Sequence, residues 1–290
     1  MPSTFAHQYF GDLVWEQLKE KTQALVRSDR GLYDIGLQGP DIFFYYNPLR
    51  KGDPVAQIGT DKHNMTGRDF FKQALERIAS SGLSGKDRDA AQAYLCGVIC
   101  HFALDASLHA RINLYEAEGG ANHAETEGEL DRALIASLGR DPVKEKMTER
   151  FIPSAHRARA ISGVYTEAGE ETILKALKSF VGFHKILYCP GDLKRNLLFA
   201  GLRLIGKYES LHGHITNKTP DVRCEESSRV LIQMLNEAVP AAAGMADAFA
   251  ACRNEAPDTA LAEMAKAAAA CGVKDLLERD YNGITKSVPA

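Results

Sequence analysis

The amino-acid sequence predicts an all-α protein, and three observations support this. Apolar residues recur every three to five positions through most of the 290 residues, which is the spacing of one helix face. No run alternates Val, Ile and Thr with polar residues, as a half-buried strand does. Alanine, the best helix former, clusters at residues 241–243 and 267–270, where it indicates closely packed helices.

Helices are predicted in order along the chain. The first covers residues 4–27, where the apolar spacing begins after the capping residue Ser3. Glycine and proline then crowd residues 31–60, which we expect to form turns. Further periodic segments predict helices over 66–80, 86–115, 124–138, 143–150, 166–188, 191–209, 226–253 and 257–271. Pro240 is expected to kink or break its helix, because proline lacks the backbone N–H that a helix needs.

Charge and composition exclude several classes of protein. The 35 Lys and Arg against 38 Asp and Glu leave a net charge of −3, with no basic excess for a nucleic-acid backbone. We find no run of about 18 apolar residues that would mark a membrane span, and no basic start with an apolar run that would mark a signal peptide. The six cysteines are scattered without a CxxC pair, so we expect free thiols and a cytoplasmic location.

The segment 101–109 carries the strongest chemical signal. His101, Asp105 and His109 are four residues apart, so on a helix their side chains lie within about 80° of one another. Their neighbours are apolar, which indicates a buried helix, and buried charges require partners. A metal ion is one such partner, since imidazole nitrogen and carboxylate oxygen are standard zinc ligands. The alternative is a hydrogen-bonded His101–Asp105 pair in a helical core.

A second pair of donors follows on the next predicted helix. His123 and Glu127 are again four residues apart, and a helix–loop–helix would bring them to face His109. The three together form the two-histidine, one-carboxylate pattern of a catalytic zinc site with one open position. The alternative is an ordinary His–Glu pair on the protein surface.

Three further donors precede these segments. Gly39-Pro40-Asp41 places a carboxylate on a turn, His63 lies on a later loop, and His7 lies on the first predicted helix. Taken singly, each has a simpler interpretation: a plain turn, a solvated loop histidine and a structural histidine.

The ordered set of donors resembles the bacterial zinc-dependent phospholipase C family, whose fold and trinuclear site are shared by the S1/P1-type zinc nucleases. Two segments resemble family signatures, LYDIGLQGPDIFF at 32–44 and HFALD at 101–105. The motifs cover residues 1–130, and the rest of the chain resembles the family only as a helical continuation. The resemblance implies a multi-helix bundle with a trinuclear zinc site.

We expect this bundle to form one domain over residues 1–290. The metal-ligand core is expected within 1–135 and a helical remainder over 136–290. A seam is expected near 212–225, where histidine, glycine and proline interrupt the helical pattern.

The resemblance also implies the ligands of three zinc ions. In the family pattern, one ion is held by Asp41, His63, His101 and Asp105. A second ion is held by His109, His123 and Glu127. The third is held by His7, Asp105 and the mature N-terminal residue. In exported members that residue is a processed tryptophan. Here, removal of Met1 would leave Pro2 as a free amine five residues before His7, and we hypothesise that Pro2 is the terminal ligand.

The activity implied is hydrolysis of a phospholipid to diacylglycerol and a phosphorylated headgroup by a zinc-activated water. The resemblance assigns catalytic positions to Asp105 and to Asp41, the latter also as a candidate base. Choline-selective members have aromatic residues at the positions of Ile42 and Thr60, so phosphocholine selectivity is not supported. We expect a phospholipid or other phosphodiester substrate, at most transient contact with a membrane surface, and no stable nucleic-acid partner. The alternatives are a nuclease or nucleotidase on the same metals, and a non-catalytic metal-stabilised binding protein.

Overall fold

The computed structural model describes residues 3–83 and 85–286 of the chain. Within these residues the β-pairing consists of the isolated bridges Thr66–Asp280 and Arg279–Thr285, which confirms the all-α prediction. The helices are, in chain order, α1 (Thr4–Gln17), α2 (Glu20–Ser28), α3 (Arg30–Gly36), α4 (Pro54–His63), α5 (Gly67–Ser80), α6 (Gly85–Ala117), α7 (His123–Ser137), α8 (Ala155–Ser162), α9 (Glu170–Leu187), α10 (Asp192–Leu204), α11 (Tyr208–Leu211), α12 (Glu225–Cys252) and α13 (Pro257–Ala270).

Helix α6 forms the centre of the molecule. The stretch from Ala90 to Ile112 is largely buried, and α1, α2, α3, α8 and α12 pack against it. Among the helices of the described residues, α6 alone is long and apolar enough to span a membrane. However, 89% of its most apolar 18-residue window is buried inside the protein. Its apolar residues therefore build a protein core, in which Cys96 and Cys100 are buried free thiols as predicted.

Two glycines allow α3 to lie directly against α6. A Cβ atom on Gly36 would lie 2.2 Å from the carbonyl oxygen of Tyr94, and one on Gly97 would lie 2.2 Å from that of Tyr33. Only a hydrogen atom fits at either position. This close approach brings the chain that follows α3 against His101 on α6.

The predicted helix over 4–27 is two helices in the structure. α1 and α2 are separated at Leu18, which has an extended ψ of 141°. The next backbone N–H, that of Lys19, donates to the carboxylate of Asp247 on α12 at 3.1 Å. A tertiary hydrogen bond therefore replaces a helical one, and sequence periodicity does not reveal it.

The region 31–60, predicted as turns, contains most of α3, the short 3₁₀ helix Gly39–Tyr45 and most of α4. The glycines of this region, which predict turns, do not all mark turns. Gly59 lies within α4, where an added Cβ would come 3.0 Å from the ring of Phe44, so its small size serves packing and not a turn. Helix α8 was also not predicted.

Two further predicted helices need correction. Residues 143–150 form only the 3₁₀ turn Pro142–Lys144, because this largely charged segment has no continuous apolar face. The helix predicted over 191–209 is divided into α10 and α11, since Gly206 adopts a φ of +65°.

Pro240 does not break α12, which runs without interruption through it. Proline removes the hydrogen bond to the carbonyl of Asn236. Both residues are exposed, so that carbonyl remains open to water. Buried neighbours such as Val239 and Ala241 pack the helix against the core on either side.

Replacing Gly97 with alanine should lower the free energy of unfolding by about 1–3 kcal/mol, because the added methyl group overlaps the Tyr33 carbonyl. Urea unfolding followed by circular dichroism measures the effect. Gly182→Ala in α9 is the control, since its Cβ would meet nothing within 4 Å, and it should be neutral or stabilising by about 0.5–1 kcal/mol. Equal stability of the two variants would contradict the close approach.

Candidate metal centre

Eight of the predicted donors meet in one buried region. They come from α1, the 3₁₀ helix after α3, the end of α4, α6 and the start of α7, and are His7, Asp41, His63, His101, Asp105, His109, His123 and Glu127. Two of them lie in elements other than those predicted. Asp41 is in a 3₁₀ helix and not a simple turn, and His63 is the last residue of α4 and not on a loop. Pro2 lies outside the described residues.

The carboxylate of Asp105 faces four imidazoles. Its Oδ1 atom is 3.2 Å from Nε2 of His7 and 3.4 Å from Nε2 of His109. Its Oδ2 atom is 3.2 Å from Nε2 of His101 and 3.8 Å from Nε2 of His63. The i, i+4, i+8 spacing on α6 thus places one carboxylate between two imidazoles of its own helix and two from elsewhere.

Helix α7 brings a second carboxylate to the end of this array. Glu127 Oε1 is 3.3 Å from Nε2 of His109, and Oε2 is 3.3 Å from Nε2 of His123. The two imidazole rings lie 5.1 Å apart between centroids. The turn between α6 and α7 therefore brings these three donors face to face, as the expected helix–loop–helix requires.

The donor atoms fall into three groups whose geometry suits metal ions. Within each group they lie within 4.8 Å of one another, and the groups are His7, His101 and Asp105; Asp41, His63 and His101; and His109, His123 and Glu127. Two ligands of a tetrahedral zinc ion with bonds of about 2.0–2.1 Å are separated by about 3.3–3.4 Å. The imidazole–carboxylate separations of 3.2–3.4 Å around Asp105 and Glu127 have this value.

In three of the imidazole rings, the nitrogen that points away from the centre makes a hydrogen bond to an oxygen. Nδ1 makes a hydrogen bond in each case: His63 with the Gly59 carbonyl at 2.7 Å, His101 with the Leu37 carbonyl at 3.2 Å, and His123 with Asn113 Oδ1 at 3.0 Å. A donating Nδ1–H leaves the neutral ring with a lone pair on Nε2. His101 Nε2 has no hydrogen-bond partner within the described residues, although a carboxylate is close to it. A cation between the two acceptors resolves this repulsion.

The carboxylates of the centre stay ionised although they are buried. Burial opposes the charged form of Asp41, but the contact with His63 outweighs it and lowers the pKa to about 2. At Asp105 the nearby His101 has the same effect on the pKa, and neighbouring imidazoles lower that of Glu127. Three carboxylates are thus buried together among imidazoles, and buried negative charge of this kind favours bound cations.

The glycine of the Gly-Pro-Asp motif has a packing role. Gly39 has a φ of +47°, and an added Cβ would lie 2.3 Å from Cδ2 of His101. The 3₁₀ helix that carries Asp41 can therefore lie directly on the imidazole of α6. Behind it, Phe43 and Tyr45 are buried in the core.

Two residues of this region were missed in the sequence. Asp131 accepts hydrogen bonds from the backbone N–H groups of Phe5 at 3.0 Å and Ala6 at 2.7 Å, and so caps the start of α1 from α7. Its only sequence signal is its position four residues after Glu127. The cap fixes the helix turn that presents His7.

Tyr281 is the other missed residue, and it comes from the segment after α13. Its ring is fully buried, with centroids 4.9 Å from His63 and 5.7 Å from His101. Its backbone N–H donates to the carbonyl of His63 at 3.3 Å. A lone tyrosine near the end of the chain carries no signal for such a contact.

Comparison with known protein families gives one match. Residues 6–168, which include all eight donors, match the family model of zinc-dependent phospholipase C. No curated protein and no solved structure matches the chain.

Replacing Asp131 with alanine should lower the free energy of unfolding by about 1–3 kcal/mol, because two buried N–H groups lose their acceptor. Urea unfolding measures the loss, and amide hydrogen exchange should show faster exchange confined first to α1. Asp258→Ala is the control, since it removes only an exposed ion pair with Lys72. Unchanged exchange at Phe5 and Ala6 would contradict the capping role.

Proposed function

Because the chain belongs to the zinc-dependent phospholipase C family, we propose that it is a zinc-dependent phosphodiester hydrolase that releases diacylglycerol and a phosphorylated headgroup from a phospholipid. The main support for this proposal is that five imidazole Nε2 atoms lie close to three ionised, buried carboxylates. Such a donor set suits zinc, and three adjoining groups suit a phosphodiester, whose charge is spread over several oxygens.

The proposed ligands are those that the family resemblance implies, and they differ from the three groups in assigning His101 to one ion only and in adding Pro2. Asp41, His63, His101 and Asp105 hold one ion; His109, His123 and Glu127 hold a second; and His7 with Asp105 and the amine of Pro2 holds a third. The two oxygens of Asp105 point to different imidazoles, which supports a ligand shared between ions. Ser3 is buried, and its hydroxyl donates to Glu127 at 3.4 Å, so the chain next to Pro2 lies beside the centre.

Bound zinc supplies a Lewis acid for the phosphate and lowers the pKa of a coordinated water toward neutrality. In the reaction the water oxygen forms a bond to phosphorus, the bond from phosphorus to the glycerol oxygen breaks, and that oxygen takes up a proton. A pKa of about 2 makes Asp41 a weak base at neutral pH. We therefore assign Asp41 first as a ligand and only second as a proton acceptor.

The surroundings of the centre do not support selectivity for a choline headgroup. Ile42, at the position of the tyrosine in choline-selective members, is fully buried. Thr60 is exposed, and its hydroxyl contacts its own helix at the carbonyl of Ala56. Neither residue offers an aromatic face to a quaternary ammonium group.

Zinc content tests the number of ions. We expect close to three zinc ions per chain, measured by plasma mass spectrometry on untagged protein whose loss of Met1 is checked by intact mass. A matched protein with extra residues before Met1 should hold two zinc ions and lose most of its activity, because the amine of Pro2 is then blocked. Full activity in the extended protein would overturn the role of Pro2.

Replacing His109 with alanine should reduce turnover by at least about 100-fold, since His109 faces both Asp105 and Glu127. Diacylglycerol release from mixed phospholipid vesicles is measured beside mononucleotide release from single-stranded nucleic acid. His156→Ala, which changes a half-exposed histidine near Asp29 and Asp87, is the control and should retain activity. Release of mononucleotides alone would favour a nuclease, and release of neither product would favour a non-catalytic protein.

A further inference from the structure

Helix α10 exposes its leucines and buries a charge. Leu193, Leu197 and Leu204 are 77%, 66% and 88% exposed. At 100° per residue these three positions lie within about 40° of one another, so they form one stripe along the helix. The buried residues of α10 are Arg195 and Leu202, on the opposite side. This pattern is the reverse of a helix that packs on a protein core.

The orientation of α10 is fixed from its buried side. The guanidinium of Arg195 donates to the carbonyl oxygens of Cys189 at 3.1 Å and Thr216 at 2.7 Å. Leu202 packs there in a small apolar cluster with Leu187, Cys189 and Ile215. Rotating α10 to bury the leucine stripe would break both hydrogen bonds and leave a buried charge without partners.

The stripe belongs to a larger apolar surface. The leucine patch, as we call it, consists of large apolar side chains that are all more than half exposed, namely Leu49, Ile186, Leu193, Leu197, Leu204 and Ile205. Most of them border a groove of about 720 Å³ between α9, α10 and residues 47–50. Single exposed leucines are ordinary on a protein surface, but a contiguous patch of this kind marks a binding surface.

Basic residues surround the leucine patch. Residues 183–211 contain five Lys and Arg against two Asp and Glu, in a chain whose net charge is −3. Arg195 is buried on the other side of α10, so four of the five basic residues remain for the rim. One of the two acidic residues, Asp192, is paired with Lys218. Arg50, from the loop that borders the groove, is 72% exposed. The rim is therefore positive, and it complements an anionic partner.

The groove lies next to the 3₁₀ helix that contributes Asp41 to the metal centre. Phe183 lines the groove, and its ring centroid lies 5.5 Å from that of Tyr45. Tyr45 is the last residue of the 3₁₀ helix that contains Asp41. The leucine patch is thus connected by two packed rings to an element of the centre.

We propose that the leucine patch docks the protein on the surface of a phospholipid bilayer, with the leucines at the acyl boundary and the basic rim at anionic headgroups. The proposal rests on the proposed function in taking membrane lipid as the substrate. A second copy of this chain is the less suitable occupant, because a two-fold interface through the patch would set positive rims against each other. A bilayer offers apolar depth and negative charge together.

Sedimentation with lipid vesicles tests the docking without requiring turnover. Zinc-loaded protein should bind vesicles of phosphatidylcholine and phosphatidylglycerol at least tenfold more strongly than vesicles of phosphatidylcholine alone. Raised salt should reduce this preference, because the contribution of the basic rim is electrostatic. The variant L193E/L204E should bind the mixed vesicles at least tenfold more weakly.

Both substituted leucines are exposed, so the variant should retain the thermal unfolding curve of the natural protein. The control L114E/V222E changes exposed apolar residues of other elements and should bind vesicles as the natural protein does. Equal vesicle binding by L193E/L204E and the control would overturn the proposal. So would failure of the natural protein to bind, or a dimer that the L193E/L204E variant dissociates. Vesicle binding without diacylglycerol release would instead overturn the proposed function and leave the docking surface intact.

Discussion

Asp105 is 3% exposed, and its carboxylate faces the Nε2 atoms of four imidazoles within 3.8 Å. An ionised carboxylate at that depth is costly unless cations neutralise it. Bound metal at the groups around Asp105 would therefore stabilise the fold as well as provide chemistry, because the unfolded chain has no preformed site. The centre of α6 is at once the core of the molecule and the axis of the metal centre.

The donors that face Asp105 depend on contacts from distant parts of the chain. Gly39 lets the 3₁₀ helix of Asp41 lie on His101, and Asp131 caps the helix of His7. Tyr281 covers His63 from the segment after α13. Each of these contacts limits the movement of a donor that is itself on a regular helix. Precise metal geometry is built in this way, from rigid elements with supported ligands.

Regular spacing made the helices α6 and α7 and their donors predictable. The i, i+4 positions depend only on helix geometry, so the shared face of His101, Asp105 and His109 follows from the sequence. Contacts between distant segments leave no such periodic trace. The break at Leu18 depends on Asp247, and the role of Asp131 depends on where α1 starts. The spacing of apolar residues in α10 predicted a helix, but it did not show that the leucines of this helix point to solvent.

The chemistry and the proposed docking surface lie in different parts of the sequence, and α9 joins them. The eight donors lie within the family match over 6–168, whereas the leucine patch is largely formed by residues after 183. In α9, Phe183 lines the groove beside the patch, and the next residue, His184, lies with Nε2 3.0 Å from the hydroxyl of Thr4. Thr4 begins the helix that carries His7. A packed helix, and not a flexible linker, therefore sets the position of the metal centre relative to a bilayer on which the patch docks.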